Sequence, residues 1–313
     1  MSKPLLTIQI VGWNNEAALR AALPNLKKIP AGEVDIFFID NNSSDNSVAF
    51  VQTLLPTATI IRNSQNKGFG EAHNQAISLC RTPFVLTHNP DLALDWPGTK
   101  KLLAAFADAK VGAVQGKLYR DEGHDVFDST GIVQNLTLTG RERGAGESDH
   151  GQYNVATPLW AVTAACGIYR VQALREIAYQ DREYFDQDFF AYREDVDLGW
   201  RLNKAGWQVC YLPVAAGVHQ RSLRTTSRFG WGLNPIKVHA RLRDRRTRLS
   251  LRNWLWMVIK NATFKEHLTH EIFVDARAAV FLLLSVSYPP LLTVWFEILA
   301  GIPRMIAKRS EKE

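Results

Sequence analysis

Phe185 to Trp207 reads FDQDFFAYREDVDLGWRLNKAGW, and within it Glu194, Asp195 and Asp197 fall inside four residues at the head of an amphipathic pattern. Acidic residues in the first turn of a helix interact favourably with its dipole, which accounts for one or two of them. Three together, placed after Phe189, Phe190 and Tyr192, suit a carboxylate held beside a sugar-binding surface. A general base has to reach a hydroxyl and keep its own proton off. The net charge of the chain is +6, so this gathering of acid runs against the overall balance.

Other candidates stand just after apolar runs. In IDNNSSDNS, Asp40 can accept hydrogen bonds from a base N–H or from ribose hydroxyls, or it can close an Asx-turn while Ser44 or Asp45 caps the next helix. In NSQNKGFGEAHNQA, Lys67 stands beside Gly68 and Gly70 ahead of a helix, where backbone can approach an anion. The third glycine of a dinucleotide fingerprint is missing. In THNPDLALD, Asp91 can hold Mg²⁺ or Mn²⁺ through oxygen, with phosphate and water completing the shell, or it can end a plain Asn-Pro-Asp turn. His219 follows a β-like run, Val209 to Leu212, and offers a nitrogen to a Mn²⁺ site shared with Asp91. Arg221 and Arg224, just beyond, have the planar fork that suits a diphosphate.

These residues need elements to position them. Leu6 to Val11, Val34 to Ile39, Thr59 to Ile61 and Phe84 to Thr87 are β-rich, and helical patterns near Glu16 to Leu26, Ser47 to Leu55 and Gly70 to Cys80 alternate with them. That alternation predicts a mostly parallel sheet wrapped by helices. Ligands bind such sheets beyond the carboxyl ends of the strands, where Asn14, Asp40, Asn63 and His88 to Asp91 fall. Asp121 to Pro158 loses periodicity and reads as a long loop with at most a hairpin. A helix from about Glu194 to Ala205 is closed by Gly206 as a left-handed cap, with Trp207 packed behind it.

After about Gly230 the composition changes, so residues 1–230 and 231–313 divide into a main domain and a basic helical extension. Lys237 to Arg252 holds seven Lys or Arg against Asp244 alone, and Arg241, Arg245, Arg248 and Arg252 share one helical face. The apolar stretch Ala278 to Ile302 is about long enough to span a bilayer, but Pro289 and Pro290 break it. Helices lying in a membrane surface fit better, with a helical extension packed on the main domain or in a dimer as the alternative. No nucleic-acid-binding motif accompanies the basic residues. Three dispersed cysteines suit a reducing, cytosolic setting, and the first apolar run reads as a strand and not a signal peptide.

In order, DNNSSD, NKGFGEAHN, NPD, AACGIYR, the Phe185 to Trp207 segment and HQRSLRTTS resemble the inverting nucleotide-sugar glycosyltransferases of family 2 with the GT-A fold, and in particular the bacterial rhamnosyltransferase-like branch. The resemblance implies that Asp40 contacts the base or ribose, and that Lys67 and Asn74 line the donor pocket with Asn14 and Asn89. It places Asp91 as the last acid of the family's DXD metal motif, His219 as the metal-side histidine, Asp195 as the catalytic base and Glu194 as the acid beside it. Asn89 stands where many members carry Asp, and His88 where a hydrophobic residue is common. A Mg²⁺ or Mn²⁺ cofactor, a dTDP- or UDP-sugar donor, a lipid-linked glycan acceptor and the cytoplasmic face of the membrane are the implied partners and place. Rhamnose leads among the sugars, with galactofuranosyl, hexosyl and N-acetylhexosaminyl donors as alternatives. A non-catalytic nucleotide-sugar-binding scaffold is the reading from another class, against which the intact Asp91 and Asp195 argue.

Overall fold

The computed structural model describes residues 3–220 and 243–311. The first half alternates as the pattern predicts: β1 (Leu6–Gly12), α1 (Glu16–Ala22), β2 (Val34–Asp40), α2 (Ser47–Leu54), β3 (Thr59–Arg62), α3 (Gly68–Leu79) and β4 (Phe84–His88). After these come β5 (Leu92–Leu94), α4 (Trp96–Leu103) and β6 (Val111–Tyr119). The segment expected to be loop carries four short strands, β7 (Phe127–Ser129), β8 (Ile132–Val133), β9 (Arg141–Glu142) and β10 (Thr157–Pro158), of which β8 and β9 form the hairpin. Next are β11 (Ile168–Arg170), α5 (Val171–Ile177), α6 (Glu194–Lys204) and the long β12 (Gln208–His219). Three helices close the chain: α7 (Arg245–Asn261), α8 (Phe264–Ser287) and α9 (Leu291–Ser310).

The main sheet runs β10-β12-β6-β11-β4-β1-β2-β3. Its long ladders, β4 to β1, β1 to β2, β2 to β3 and β6 to β12, are parallel, whereas β11 is inserted antiparallel between β4 and β6. Residues Leu6, Ile8 and Ile10 of β1 are fully buried, and so are the intervening Thr7 and Gln9, because helices cover both faces. The parallel strands therefore send their carboxyl ends, Gly12, Asp40, Arg62 and His88, to one edge.

α6 ends as foreseen: Gly206 is left-handed at φ +82° and Trp207 N–H bonds back to the Leu202 carbonyl. The chain also breaks at Tyr288 to Pro290, and α8 begins on a capping box of Thr263 and Glu266.

The carboxy-terminal helices are not laid loosely on the rest. Trp254, Trp256, Met257, Phe281 and Ile298 share one buried cluster with Ile132, Leu138, Trp160, Phe189, Val196 and Trp200. Beside it the charges meet as well. Lys260 of α7 is fully buried between Asp186, in a short contact, and Asp197 at 2.8 Å. Arg201 pairs with Asp197 at 2.9 Å, and Lys308 of α9 reaches Asp186 at 2.6 Å, Glu183 at 2.7 Å and Asp188 at 3.0 Å. Arg252 holds Glu297 and the Asp188 and Phe189 carbonyls. Most acids of the Phe185 segment are thus anchors for the basic extension. The expectation that the basic residues serve a membrane surface is corrected for Arg252, Lys260 and Lys308, which face inward; Arg241 lies outside the described residues.

Candidate active site

The acids that are left over stand at the mouth of α6. Phe190, Tyr192 and Arg193 all take positive φ, 63°, 75° and 75°, in the four residues before the helix. Non-glycine residues adopt that region only where surrounding contacts enforce it, and such strain gathers at functional sites. Here the enforcement is visible. Asn253 donates from its amide to the carbonyls of Phe189, Ala191 and Tyr192, and Phe69 N–H bonds the Phe190 carbonyl at 2.6 Å. Gly68 explains itself by the same loop: at φ +81°, a Cβ on it would lie 2.3 Å from the Phe190 oxygen. The glycine is needed for this backbone approach.

Among the described residues the loop delivers Glu194 and Asp195 without a cation in hydrogen-bonding contact, although the charge of Arg193 acts on both. Asp195 accepts from its own helix, Val196 N–H at 2.8 Å, and from Ala164 N–H at 3.5 Å. Glu194 is buried, and its Oε2 has no hydrogen-bond partner. Burial and the neighbouring Asp195 push the Glu194 carboxyl up to about 8, and burial raises Asp195 as well. At neutral pH this favours the protonated form of Glu194, and Asp195 is more basic than a free carboxylate. Within the same segment Asp186 goes the other way: burial would raise it, but Lys260 and Lys308 hold it well below the usual range.

Asp91, Asn89 and His219 come together at the ends of β4, β5 and β12. His219 Nε2 lies 3.1 Å from Asp91 Oδ1 and 3.3 Å from the Asn89 amide nitrogen. A residue that the motifs did not reveal completes this arrangement: Asp128, fully buried in β7, lies 2.8 Å from His219 Nδ1. Burial works against the imidazolium, but the hydrogen bonds to Asp128 and Asp91 outweigh it and raise the ring to about 9. The Asp128–His219 pair is of the kind that commonly supports a metal-binding histidine from behind, and it would fix which nitrogen faces an ion. Two donors about 3 Å apart match neighbouring positions around an ion with ligand distances of about 2.1 Å. Among the described residues no group of three or more His, Cys, Asp or Glu is arranged to hold a metal, so a bound ion would need phosphate or water for the rest of its shell. His88, buried nearby, has neither ring nitrogen bonded, and burial lowers it to about 4.

At the other end of the strand edge a belt of amides runs from Gln75 to Asn63, on to Asn41 and then to the Gly68 carbonyl, each link 2.9 Å. The Asp40 carboxylate accepts from Ser43 N–H three residues on, and Asp45, one residue before the N-cap of α2, accepts from Ser47 N–H at 3.0 Å. Asn14, at φ +51°, accepts from Ser44 N–H at 2.8 Å and holds this turn against β1. Two of the expected donor contacts have other employment. Asn74 spends both ends of its amide on the Phe185 backbone, at 2.8 Å each, so it braces the acidic segment instead of facing a pocket. Lys67 pairs with Glu71 at 2.7 Å across one turn, both partly exposed. Arg221 and Arg224 lie outside the described residues.

Residues 7–178 match the family model described as glycosyl transferase family 2. The chain belongs to that family. It is 27% identical over 252 residues to the N-acetylglucosaminyl-diphospho-decaprenol L-rhamnosyltransferase of Mycobacterium tuberculosis, covering 71% of this chain and 78% of that one. Among solved structures it is similar to S. aureus TarS 1-349 in complex with UDP-GlcNAc, with a TM-score of 0.58 and 15% identity over 98% of this chain and 84% of that one. Of another crystallised S. aureus TarS chain it covers 42%. The mannosyltransferase PcManGT from Pyrobaculum calidifontis, in complex with GDP-Man and Mn²⁺, gives a TM-score of 0.52 and 14% identity, with 100% of this chain and 89% of that one covered. These likenesses establish the GT-A fold for this glycosyltransferase: a mostly parallel sheet followed by carboxy-terminal helices.

Proposed function

We propose that this family 2 glycosyltransferase moves a sugar, rhamnose in the leading reading, from a nucleotide-sugar to a hydroxyl of a lipid-linked glycan, with inversion at the anomeric carbon. The observation that carries the mechanism is the buried Glu194–Asp195 pair, presented by a strained loop and hydrogen-bonded to no cation. Asp195 takes the acceptor proton as the hydroxyl attacks from the face opposite the leaving diphosphate. Glu194, keeping its own proton, prevents the pair from sharing the one that Asp195 must receive. Asp91 and His219 would hold the divalent ion, Asp128 orients His219, and Asn89 takes a place beside them. Such an ion supplies charge stabilisation to the departing diphosphate. Asp40, Asn14 and the amide belt form the floor against which the nucleoside rests.

The lipid-linked acceptor is supported by the M. tuberculosis relative, whose name specifies one. It is also supported by the exposed apolar side chains Phe264, Leu268, Ile272, Leu283 and Val286 along α8 and Phe296 and Leu299 on α9. One helix, Pro290–Ser310, is long and apolar enough to cross a membrane by length and composition. Because its inner face is packed on α7, we place α8 and α9 on the membrane surface, with Trp295 tied inward to Ser285 at 3.0 Å. Liposome flotation checks this: wild type floats, a Leu268→Ser, Ile272→Ser, Val286→Ser variant stays behind, and equal flotation of both would refute it.

The transfer reading is tested by the thermal midpoint with UDP, dTDP, GDP and CMP, each with and without Mn²⁺ or Mg²⁺. A ligand present at about 100 times its dissociation constant adds about 2.7 kcal/mol. One nucleotide should raise the midpoint only with metal; none doing so would defeat the reading and return weight to a scaffold.

A further inference from the structure

Four cations of the carboxy-terminal helices, Arg252, Lys260, Arg304 and Lys308, each take a carboxylate. Arg277 of α8 takes none among the described residues. Its guanidinium lies over the rings of Trp254, 5.2 Å away, and Phe281, 5.5 Å away, and its Nε is buried without a hydrogen-bond partner. Burial and the charge of Arg193 lower its pKa to about 10, so a second guanidinium stands within electrostatic reach. Arg193 makes no salt bridge among the described residues, although the charges of Asp195, Glu194 and Glu142 act on it; it donates to Ser250 Oγ at 3.0 Å and to the Thr139 carbonyl. A buried donor without an acceptor costs stability, and a like charge within electrostatic reach adds to that cost. Both costs vanish when an anion with several oxygens lies between them, and two planar forks match a diphosphate.

The surroundings say which diphosphate. Arg193 directly precedes Glu194 and Asp195, where the acceptor hydroxyl is received. On α8, Phe273 and Val280, one turn before and one turn after Arg277, are 41% and 48% exposed. A molecule reaching from Asp195 past Arg193 to Arg277 therefore goes from the base proposed to receive a sugar hydroxyl, through a cationic site, to an apolar helix face. That is the order of parts in a glycan carried on a prenyl diphosphate. The donor's diphosphate belongs to the other side, at Asp91 and His219. We infer that Arg277, with Arg193, binds the diphosphate of the lipid-linked acceptor and thereby positions the acceptor sugar at Asp195. This rests on the transferase reading and deepens it. Arg277 is a positioning residue, since it touches the acceptor away from the reacting atoms.

The test uses farnesyl diphosphate, farnesol and dihexanoyl phosphatidylglycerol in calorimetric titrations of the full chain, saturated beforehand with Mn²⁺ and the nucleotide that raises its thermal midpoint. With the donor side filled, farnesyl diphosphate should bind at least about tenfold more tightly than either other probe. Arg277→Met should erase that preference, Arg277→Lys should keep part of it, and the nucleotide affinity of both variants should match wild type. Equal binding of the three probes, an unaltered preference in Arg277→Met, or an equal loss of nucleotide affinity would each overturn the inference. If Arg277→Met does not fold, Arg277→Lys decides: it has the charge without the fork, and a preference identical to wild type would count against the geometry argued here. The preliminary nucleotide shift reports on the transferase reading by itself, so its failure is separate from failure at Arg277; without a shift, the same titrations are run on the unliganded protein.

Discussion

Asp186 and Glu194 are eight residues apart, both buried, and they have opposite electrostatic fates. Asp186 is met by Lys260 and Lys308, and by Asp188 N–H, and stays ionised because two ammonium groups replace the water it loses on burial. Glu194 has an oxygen with no partner and a carboxylate beside it, so burial keeps it protonated up to about pH 8. Acid is thus used in two ways within one loop. Acids that make salt bridges tie the carboxy-terminal helices to the sheet, and those with only the charge of Arg193 acting on them, Glu194 and Asp195, keep basicity for chemistry. The lesson is that a cluster of carboxylates becomes reactive where the fold withholds its cations.

The comparison can be broken from either side. On the chemical side, Asp195→Asn should lower the transfer rate by roughly 10²–10⁴-fold while nucleotide binding and the thermal midpoint stay near wild type; a near-normal rate would mean that another group takes the proton. On the structural side, Lys260→Met leaves Asp186 and Asp197 buried with one cation fewer, and should cost about 3–5 kcal/mol in urea unfolding. If that variant is as stable as wild type, the network is not what docks α7. A smaller effect is expected at Asp128. Asp128→Asn keeps the shape but loses the charge behind His219, and should weaken Mn²⁺ affinity by roughly 10–100-fold with little change in the affinity for metal-free nucleotide.

A further effect is expected on the pH dependence of stability. An unfolded Glu titrates near 4.5, whereas folded Glu194 keeps its proton to about 8. Between those values the folded state holds a proton that the unfolded state has released, so the stability that Glu194 contributes is present below about 4.5 and is lost as pH rises toward 8. Glu194→Gln should flatten the midpoint-against-pH curve over that window. A variant curve parallel to wild type would show that Glu194 titrates normally.

Much of this architecture was legible. The spacing of β1 to β4 and their helices, the Gly206 cap and the break at Pro289-Pro290 follow from local rules that each act within a few residues. Asp91 and His219 were legible as partners only through the order of motifs. Asp128 was not, because a lone Asp between Phe127 and Ser129 carries no local sign that β7 places it behind His219, 91 residues on. Asn74 and Gly68 were legible as special but not for the right reason: their partners, Phe185 and Phe190, lie more than a hundred residues away. The basic extension misled most. Charge counting records that Arg252, Lys260 and Lys308 are cationic, but only packing shows that they point at acids.

The most direct test of the split between the two kinds of acid is infrared difference spectroscopy at pH 7 on wild type and Glu194→Gln, read in the region of the protonated carboxyl stretch. Wild type should show a protonated carboxyl that the substitution removes, as the account requires of an acid held neutral beside an ionised Asp195. A wild-type spectrum without that band, or a band that survives Glu194→Gln, would contradict it.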